Sequence, residues 1–303
     1  MFVLAHLSDP HLPTSKGVRP RALANKRFLG YLSWRFRRSH IHRPAILSRI
    51  VSDLRRLNPD HVVVTGDLVN LSLAAEFRHA TEWLQNLGMA DWVTVVPGNH
   101  DAYVPMPYAQ SWQHWAAYMV GDDHREAPLS FPFVRRRDGV ALIGLSTAIT
   151  TGPGLAYGCL GGEQLSALRS VLSTLAREAL FRVVLLHHPP FEENMPRAKN
   201  LRDMAGFQDV IAGVGAELIL HGHNHRYEFT SLNGPAGPVP VFGSPSTSVA
   251  HGYGIDAAQY LIYSIERIDG AWRLECRRRL MTRVSEEFAE EKLETLELLR
   301  PEH

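Results

Sequence analysis

Seven apolar runs of strand length punctuate this chain, and several are separated by segments of helical period. The runs are 2–9, 61–68, 92–101, 140–147, 182–189, 216–225 and 239–246. Segments 44–57, 73–87, 163–178 and 203–213 carry apolar residues at helical spacing. Continuous apolar strands alternating with helices predict a layered α/β fold whose sheets are buried on both faces. After about residue 226 the pattern turns strand-rich, which predicts hairpins closing a second sheet. The stretch 285–300, "SEEFAEEKLETLELLR", predicts an acidic amphipathic helix. The reading is one domain over 1–282, with a C-terminal acidic helical tail over 283–303.

Composition narrows the class. The chain has 303 residues, 45% hydrophobic and 21% charged, with a net charge of +1. That is an ordinary globular balance, and the molecule as a whole is no polyanion binder. Two cysteines, Cys159 and Cys276, make no disulfide framework and no zinc spacing, so a reducing compartment is expected. The start "MFVLAHLSDPHL" lacks the basic region and cleavage site of a signal peptide, and no apolar run reaches membrane-spanning length. A cytoplasmic protein is expected.

The ends of the runs carry a consistent chemistry. They supply, in order, Asp9 and His11; Gly66 and Asp67; Asn99, His100 and Asp101; His187 and His188; then His221, His223 and His225. Each motif alone is weak: Asp-x-His is also a turn Asp beside a surface His, and Gly-Asp is a common turn. Together they are not weak. Five strand ends in order offer Asp, His or Asn, which suits Mn, Fe or Zn and does not suit calcium or a cysteine-bound zinc. The donors are too many for one ion, and two ions bridged by a carboxylate would use them.

The ordered set "SDPH", "GDL", "GNHD", "LHHPP" and "GHNH" resembles the calcineurin-like metallophosphoesterase superfamily. The resemblance implies a four-layer αββα sandwich of two mixed β-sheets flanked by helices, with two divalent transition-metal ions at the strand ends. It implies that Asp9, His11 and His225 bind one metal, Asn99, His187 and His223 the other, and Asp67 bridges. His100 is then a catalytic group over the leaving oxygen, as general acid or as donor to the phosphoryl group. His188 and His221 stand beside better candidates and read as supporting residues.

The implied reaction is hydrolysis of a phosphoester by hydroxide generated at the metals. Within the superfamily the pattern resembles the branch of bacterial class III cyclic-nucleotide and glycerophosphodiester phosphodiesterases, so diester hydrolysis is the first reading. The alternatives are a pyrophosphohydrolase of the UDP-diacylglucosamine type, a phosphomonoesterase, and a non-catalytic scaffold of the same fold. The filled ligand set weighs against the scaffold.

One segment stands apart. Residues 16–43 carry Lys16, Arg19, Arg21, Lys26, Arg27, Arg35, Arg37, Arg38 and Arg43, interleaved with Phe28, Leu29, Tyr31, Leu32, Trp34 and Phe36. No Asp or Glu occurs from Pro10 to Ser52. Three readings stay open: a solvated insertion, a cap on a small-molecule phosphoester substrate, and a peripheral contact with anionic lipid at the inner face of the membrane. Nucleic acid ranks low, because the stretch is short and the rest of the chain is neutral. Arg135, Arg136 and Arg137 read as a solvated hairpin end, and the loop "GSPSTS" (243–248) as an ordinary polar loop. The sequence leaves the oligomeric state open.

Overall fold

The computed structural model describes residues 1–14, 18, 20–123, 129–192, 197–251, 256–281 and 288–298. Lys16 and Arg19, and residues 283–287 and 299–303 of the tail, lie outside them.

Two six-stranded mixed sheets form the centre. The first contains β1 (Phe2–Leu7), β2 (His61–Val64) and β3 (Val93–Val95) in parallel. The second contains β4 (Phe133–Arg137), β5 (Val140–Gly144), β6 (Phe181–Leu185), β7 (Leu218–His221), β8 (Glu228–Gly234) and β9 (Gly237–Gly243), in the order β4-β5-β6-β7-β9-β8. Its inner strands are parallel, and β4 and β8 close the two edges antiparallel. The chain then returns to the first sheet as β10 (Gln259–Ile268), β11 (Ala271–Met281) and β12 (Phe288–Leu298), completing the order β12-β11-β10-β1-β2-β3. The late hairpins predicted to close a second sheet are therefore divided: β8 and β9 complete the second sheet, and β10 to β12 extend the first.

Strand alternation makes the layers. In the second sheet Leu142, Val183, Leu185, Leu218, Leu220 and Phe242 enter the core shared with the first sheet. Their neighbours Ala141, Ile143, Val184, Ile219 and Val241 face a separate core with the helices. The short helices α1 (Arg27–Ser33) and α2 (Ser39–Ile41) precede four longer ones: α3 (Pro44–Leu57), α4 (Ala74–Leu87), α5 (Gly162–Arg177) and α6 (Met204–Val214). α3 and α4 bury Ile50, Leu54, Phe77 and Leu84 in the first core, and α5 and α6 bury Leu168, Leu172, Phe207 and Ile211 in the second. The result is the four-layer sandwich. α3 starts on Pro44, whose missing N–H is no loss at a first turn, and stops at Asn58 in the left-handed region with φ 48°.

The tail corrects the sequence reading. Residues 288–298 form strand β12, not a helix, and pair antiparallel with β11. The basic strand meets an acidic one: Arg277 and Arg279 pair with Glu290, Arg278 with Glu291, and Lys292 with Glu275. Each exposed pair contributes little, about 0–1 kcal/mol. Together they favour this register, and Phe288, Leu293, Leu296 and Leu298 pack against the core. The pairing slips at Cys276/Arg277, leaving Leu293 as an extra residue. That bulge breaks the period of two and makes the stretch look helical in sequence.

Arg135 is a second correction. It is buried, not solvated, and donates to the carbonyls of Ala90, Val93, Ala117 and Val120. Arg136 and Arg137 do lie on the half-exposed hairpin, paired with Glu178 and Asp122. No helix among the described residues is long and apolar enough to cross a membrane.

Candidate metal centre

The carboxyl ends of β1, β2, β3, β6 and β7 meet at one edge of the sandwich. The loops after β1 and β2 continue side by side: Asp9 N–H donates to Gly66 O, His11 N–H to Asp67 O and Leu12 N–H to Leu68 O, all at 2.9–3.1 Å. From the other sheet, Gly222 N–H donates to His187 O at 3.1 Å. The two sheets thus deliver their polar ends to one buried space.

Two constellations form there. In one, His225 Nε2 lies 3.1 Å from both His11 Nε2 and Asp9 Oδ1. In the other, Asn99 Oδ1 lies 2.9 Å from His223 Nδ1 and 3.1 Å from His187 Nε2. Asp67 stands between them. Its Oδ2 is 3.7 Å from His11 Nε2, and its Oδ1 is 3.5 Å from His187 Nε2. Ligands at about 2.0–2.2 Å from a metal lie roughly 3 Å from one another, so this spacing fits ions at both positions. All seven sequence-predicted donors are brought together.

The backbone is strained at the same place. Asp9, His11, Asp67, His223 and His225 all have positive φ, between 40° and 71°. A non-glycine residue there costs roughly 1–2 kcal/mol. The surroundings enforce it. Asp9 Oδ2 accepts His223 N–H at 3.0 Å, and Asp101 accepts the N–H groups of Asp67, Leu68, Val69 and Gly98 at 2.8–3.1 Å. Strain held in place by its neighbours is a mark of a functional site. Gly222 serves space rather than bending, because a Cβ there would stand 1.9 Å from Ser8 Oγ and 2.6 Å from Asp9 Oδ2. The left-handed turns fall on the histidines themselves.

Charge completes the fit. Burial, then the neighbouring imidazoles, hold His11 and His223 well below the usual imidazole range, so both are neutral, the form that ligates. Burial, then Asp9, push the Asp67 carboxyl well above its usual range, whereas at Asp9 burial also pushes up but His225, His187 and Ser8 together outweigh it and pull the carboxyl down. Two carboxylates facing one dry space call for cations between them. His187 donates Nδ1–H to the Thr65 carbonyl at 2.7 Å, which leaves its Nε2 lone pair facing the site. Burial first, and Asp67 second, push Asp101 up to about 7, against the pull of its N–H donors.

The remaining histidines separate cleanly. His188 lies behind His223, ring centroids 4.5 Å apart, with its nitrogens bonded to Thr147 Oγ1 and the Ala156 carbonyl. His221 packs against Phe191, away from both constellations. His100 is buried, and its Nδ1 lies 2.6 Å from the Asn70 carbonyl. A carbonyl only accepts, so Nδ1 carries the proton and Nε2 the lone pair.

Two residues at the site were missed in sequence. Arg38 Nη1 donates to His100 Nε2 at 2.6 Å, and burial, then Arg38, hold His100 well below its usual range. His42 brings a ring nitrogen within 4.8 Å of those of His11 and His225. Both come from the basic aromatic segment, which is docked by buried Arg27 on the Leu71 carbonyl and by Lys26 on Thr151. The charge run was the only signal, and it could not say which cations turn inward. Four apolar side chains of the segment, Phe28, Leu29, Leu32 and Phe36, are 36–74% exposed.

Known proteins resemble this chain in sequence and in fold. A protein of Rhodococcus erythropolis described as a "probable cyclic nucleotide phosphodiesterase" is 26% identical over 248 residues, 80% of this chain and 70% of that one. A cAMP/cGMP dual specificity phosphodiesterase of Mycobacterium tuberculosis is 28% identical over 232 residues, 74% of this chain and 62% of that one, so the match spans less than two thirds of its length. In fold, the chain is similar to a dimetal phosphatase from Danio rerio, with a TM-score of 0.59 at 12% identity over 99% of both chains. It is also similar to a purple acid phosphatase of yellow lupin, with a TM-score of 0.53 at 12% identity over 92% of this chain and 51% of that one. The model of the calcineurin-like phosphoesterase family matches residues 2–227, and with the strand-end constellation this places the chain in that family.

Proposed function

We propose that the protein is a dinuclear metal-dependent phosphodiesterase and that cyclic nucleotides are its first substrate class to test. The observation that carries this reading is Asp67, with one oxygen turned to each constellation. Asp9, His11 and His225 would hold one divalent ion, Asn99, His187 and His223 the other, with Asp67 shared. When bound, such a pair neutralises phosphoryl oxygens and makes hydroxide available near neutral pH. The two bacterial relatives, both named as cyclic-nucleotide enzymes, support the diester reading.

The chain's own residues do the rest. Arg38 holds a fixed positive charge over His100. An arriving phosphate dianion or diester anion is a stronger partner for a guanidinium than a neutral imidazole is. Arg38 then turns to the phosphoryl oxygens and frees His100 Nε2. With Nδ1–H anchored on Asn70, Nε2 can take a proton from solvent water and pass it to the leaving oxygen. His100 therefore acts only once Arg38 has left it.

The test is hydrolysis by chelator-stripped protein reloaded with Mn²⁺, on bis(p-nitrophenyl) phosphate, p-nitrophenyl phosphate and 3′,5′-cyclic AMP side by side. Preference for the diesters supports the reading; preference for the monoester makes the protein a phosphatase. The exposed stripe Phe28, Leu29, Leu32 and Phe36 favours a second reading, a nucleotide-lipid pyrophosphate whose acyl chains rest on it. Two bound metals with no activity on any of the three esters would favour that substrate.

A further inference from the structure

We infer that His42 is an additional metal ligand at the His11–His225 position, and that it ties the segment 20–43 to metal occupancy. The inference rests on the two-metal reading and goes beyond it, because His42 stands outside the strand ends that supply the other donors.

Geometry points to it first. Ring nitrogens of His11, His42 and His225 all lie within 4.8 Å of one another. The His11 and His225 nitrogens are 3.1 Å apart, and an ion about 2.1 Å from both can lie within roughly 3.1 Å of the His42 nitrogen, so a shift of about 1 Å lets all three imidazoles share it. The His11 and His42 ring centroids are 4.7 Å apart, and those of His42 and His225 5.9 Å.

The second observation fixes the tautomer. His42 Nδ1 is 2.6 Å from Ser248 Oγ, Ser248 Oγ is 3.3 Å from Ser246 Oγ, and Ser246 Oγ donates to the Asp9 carbonyl at 2.6 Å. The carbonyl can only accept, so Ser246 spends its proton there and receives one from Ser248. Ser248 in turn receives the Nδ1 proton of His42. The relay leaves His42 Nε2 as a lone pair, as the Thr65 carbonyl does for His187. An outer hydrogen bond that sets tautomer and ring orientation is the usual support of a metal-binding imidazole. The relay also ends on the residue that carries the Asp9 carboxylate, so both arms of the site are braced by one loop.

The third is where His42 sits in the chain. It forms an isolated bridge with Val249, flanked by Arg43 N–H to Ser248 O and Ala250 N–H to Ile41 O, each at 2.9 Å. Four residues earlier, Arg38 lies on His100. An ion that captures His42 therefore fixes the C-terminal end of the segment that also carries Arg38, and an imidazole-rich site suits Zn²⁺ or Fe²⁺.

The experiment uses the full chain with Zn²⁺. Wild type, His42→Ala and Ser248→Ala are compared by chelator competition for metal affinity, and by the rate of tryptic cleavage within 20–43 with and without metal. Circular dichroism melting shows that each variant folds. The expected result is at least tenfold slower cleavage of wild type when metal is bound. His42→Ala should lose that protection and bind one of two ions about 10–100-fold more weakly, with Ser248→Ala in between. Wild-type affinity for both ions in a folded His42→Ala protein overturns the inference and leaves the two-metal reading standing. Should that variant fail to fold, wild-type cleavage that ignores metal overturns it instead. A wild type that binds no metal overturns both.

Discussion

Asp101 offers the sharpest test of how the site is held. Its carboxylate accepts four backbone N–H groups: Oδ2 takes those of Asp67 and Gly98, and Oδ1 takes those of Leu68 and Val69. It is 2% exposed, so water cannot replace it. In Asp101→Asn one oxygen remains and can keep two of the four. The new amide presents its own N–H groups to the other two donors. Two buried donors left unsatisfied at about 1–3 kcal/mol each predict a loss of about 2–6 kcal/mol. Against a total of roughly 5–15 kcal/mol this is a large share. At about 2 °C per kcal/mol for a chain of this size, the melting temperature falls by roughly 4–12 °C. The assay is urea unfolding of metal-stripped protein at pH 8, where no ligand contributes to stability and Asp101, pushed up to about 7, is ionised; the cost of burying that charge offsets part of the loss, so the lower end of the range is expected. An Asn variant within about 0.5 kcal/mol of wild type, the range of ordinary surface changes, would refute the argument.

Three further outcomes follow from the same residues. His100→Ala should keep both metals and lose about 10²–10⁴ in rate, the usual worth of general acid help; metal analysis showing an empty site would contradict the role assigned to it. Asp67→Ala should lose at least one metal, so two ions retained per chain would sink the shared-ligand assignment. Acid stability should run through Asp53. Burial raises its pKa, but hydrogen bonds from Arg279, Tyr260 and Arg56 outweigh that and hold it below the usual carboxylate range. A depressed folded-state pKa gives stability that is present above the unfolded value near 4 and lost as pH falls through the folded one. The stability difference between wild type and Asp53→Asn should therefore shrink from pH 5 to pH 3, and a constant difference would rule the linkage out.

The sequence by itself determined the frame and brought out the donors proposed as metal ligands. Apolar runs of strand length and helices at 44–57, 73–87, 163–178 and 203–213 are local patterns, and burial of an apolar face leaves them few alternatives. Donors at strand ends were legible for the same reason, because parallel strands place successive loops at one edge. Tertiary structure decided what depends on partners far along the chain. β12 became a strand because the basic face of β11 and the core beneath it outweighed helical propensity, and a bulge at Leu293 hid the alternation. Arg135 was buried because four carbonyls lay within its reach, a fact no local window contains. Arg38 and His42 were lost among the many basic residues of their segment for a related reason. A long basic side chain faces solvent or a site according to what stands opposite it, and here that was His100 and the serine relay of a loop some two hundred residues away in sequence.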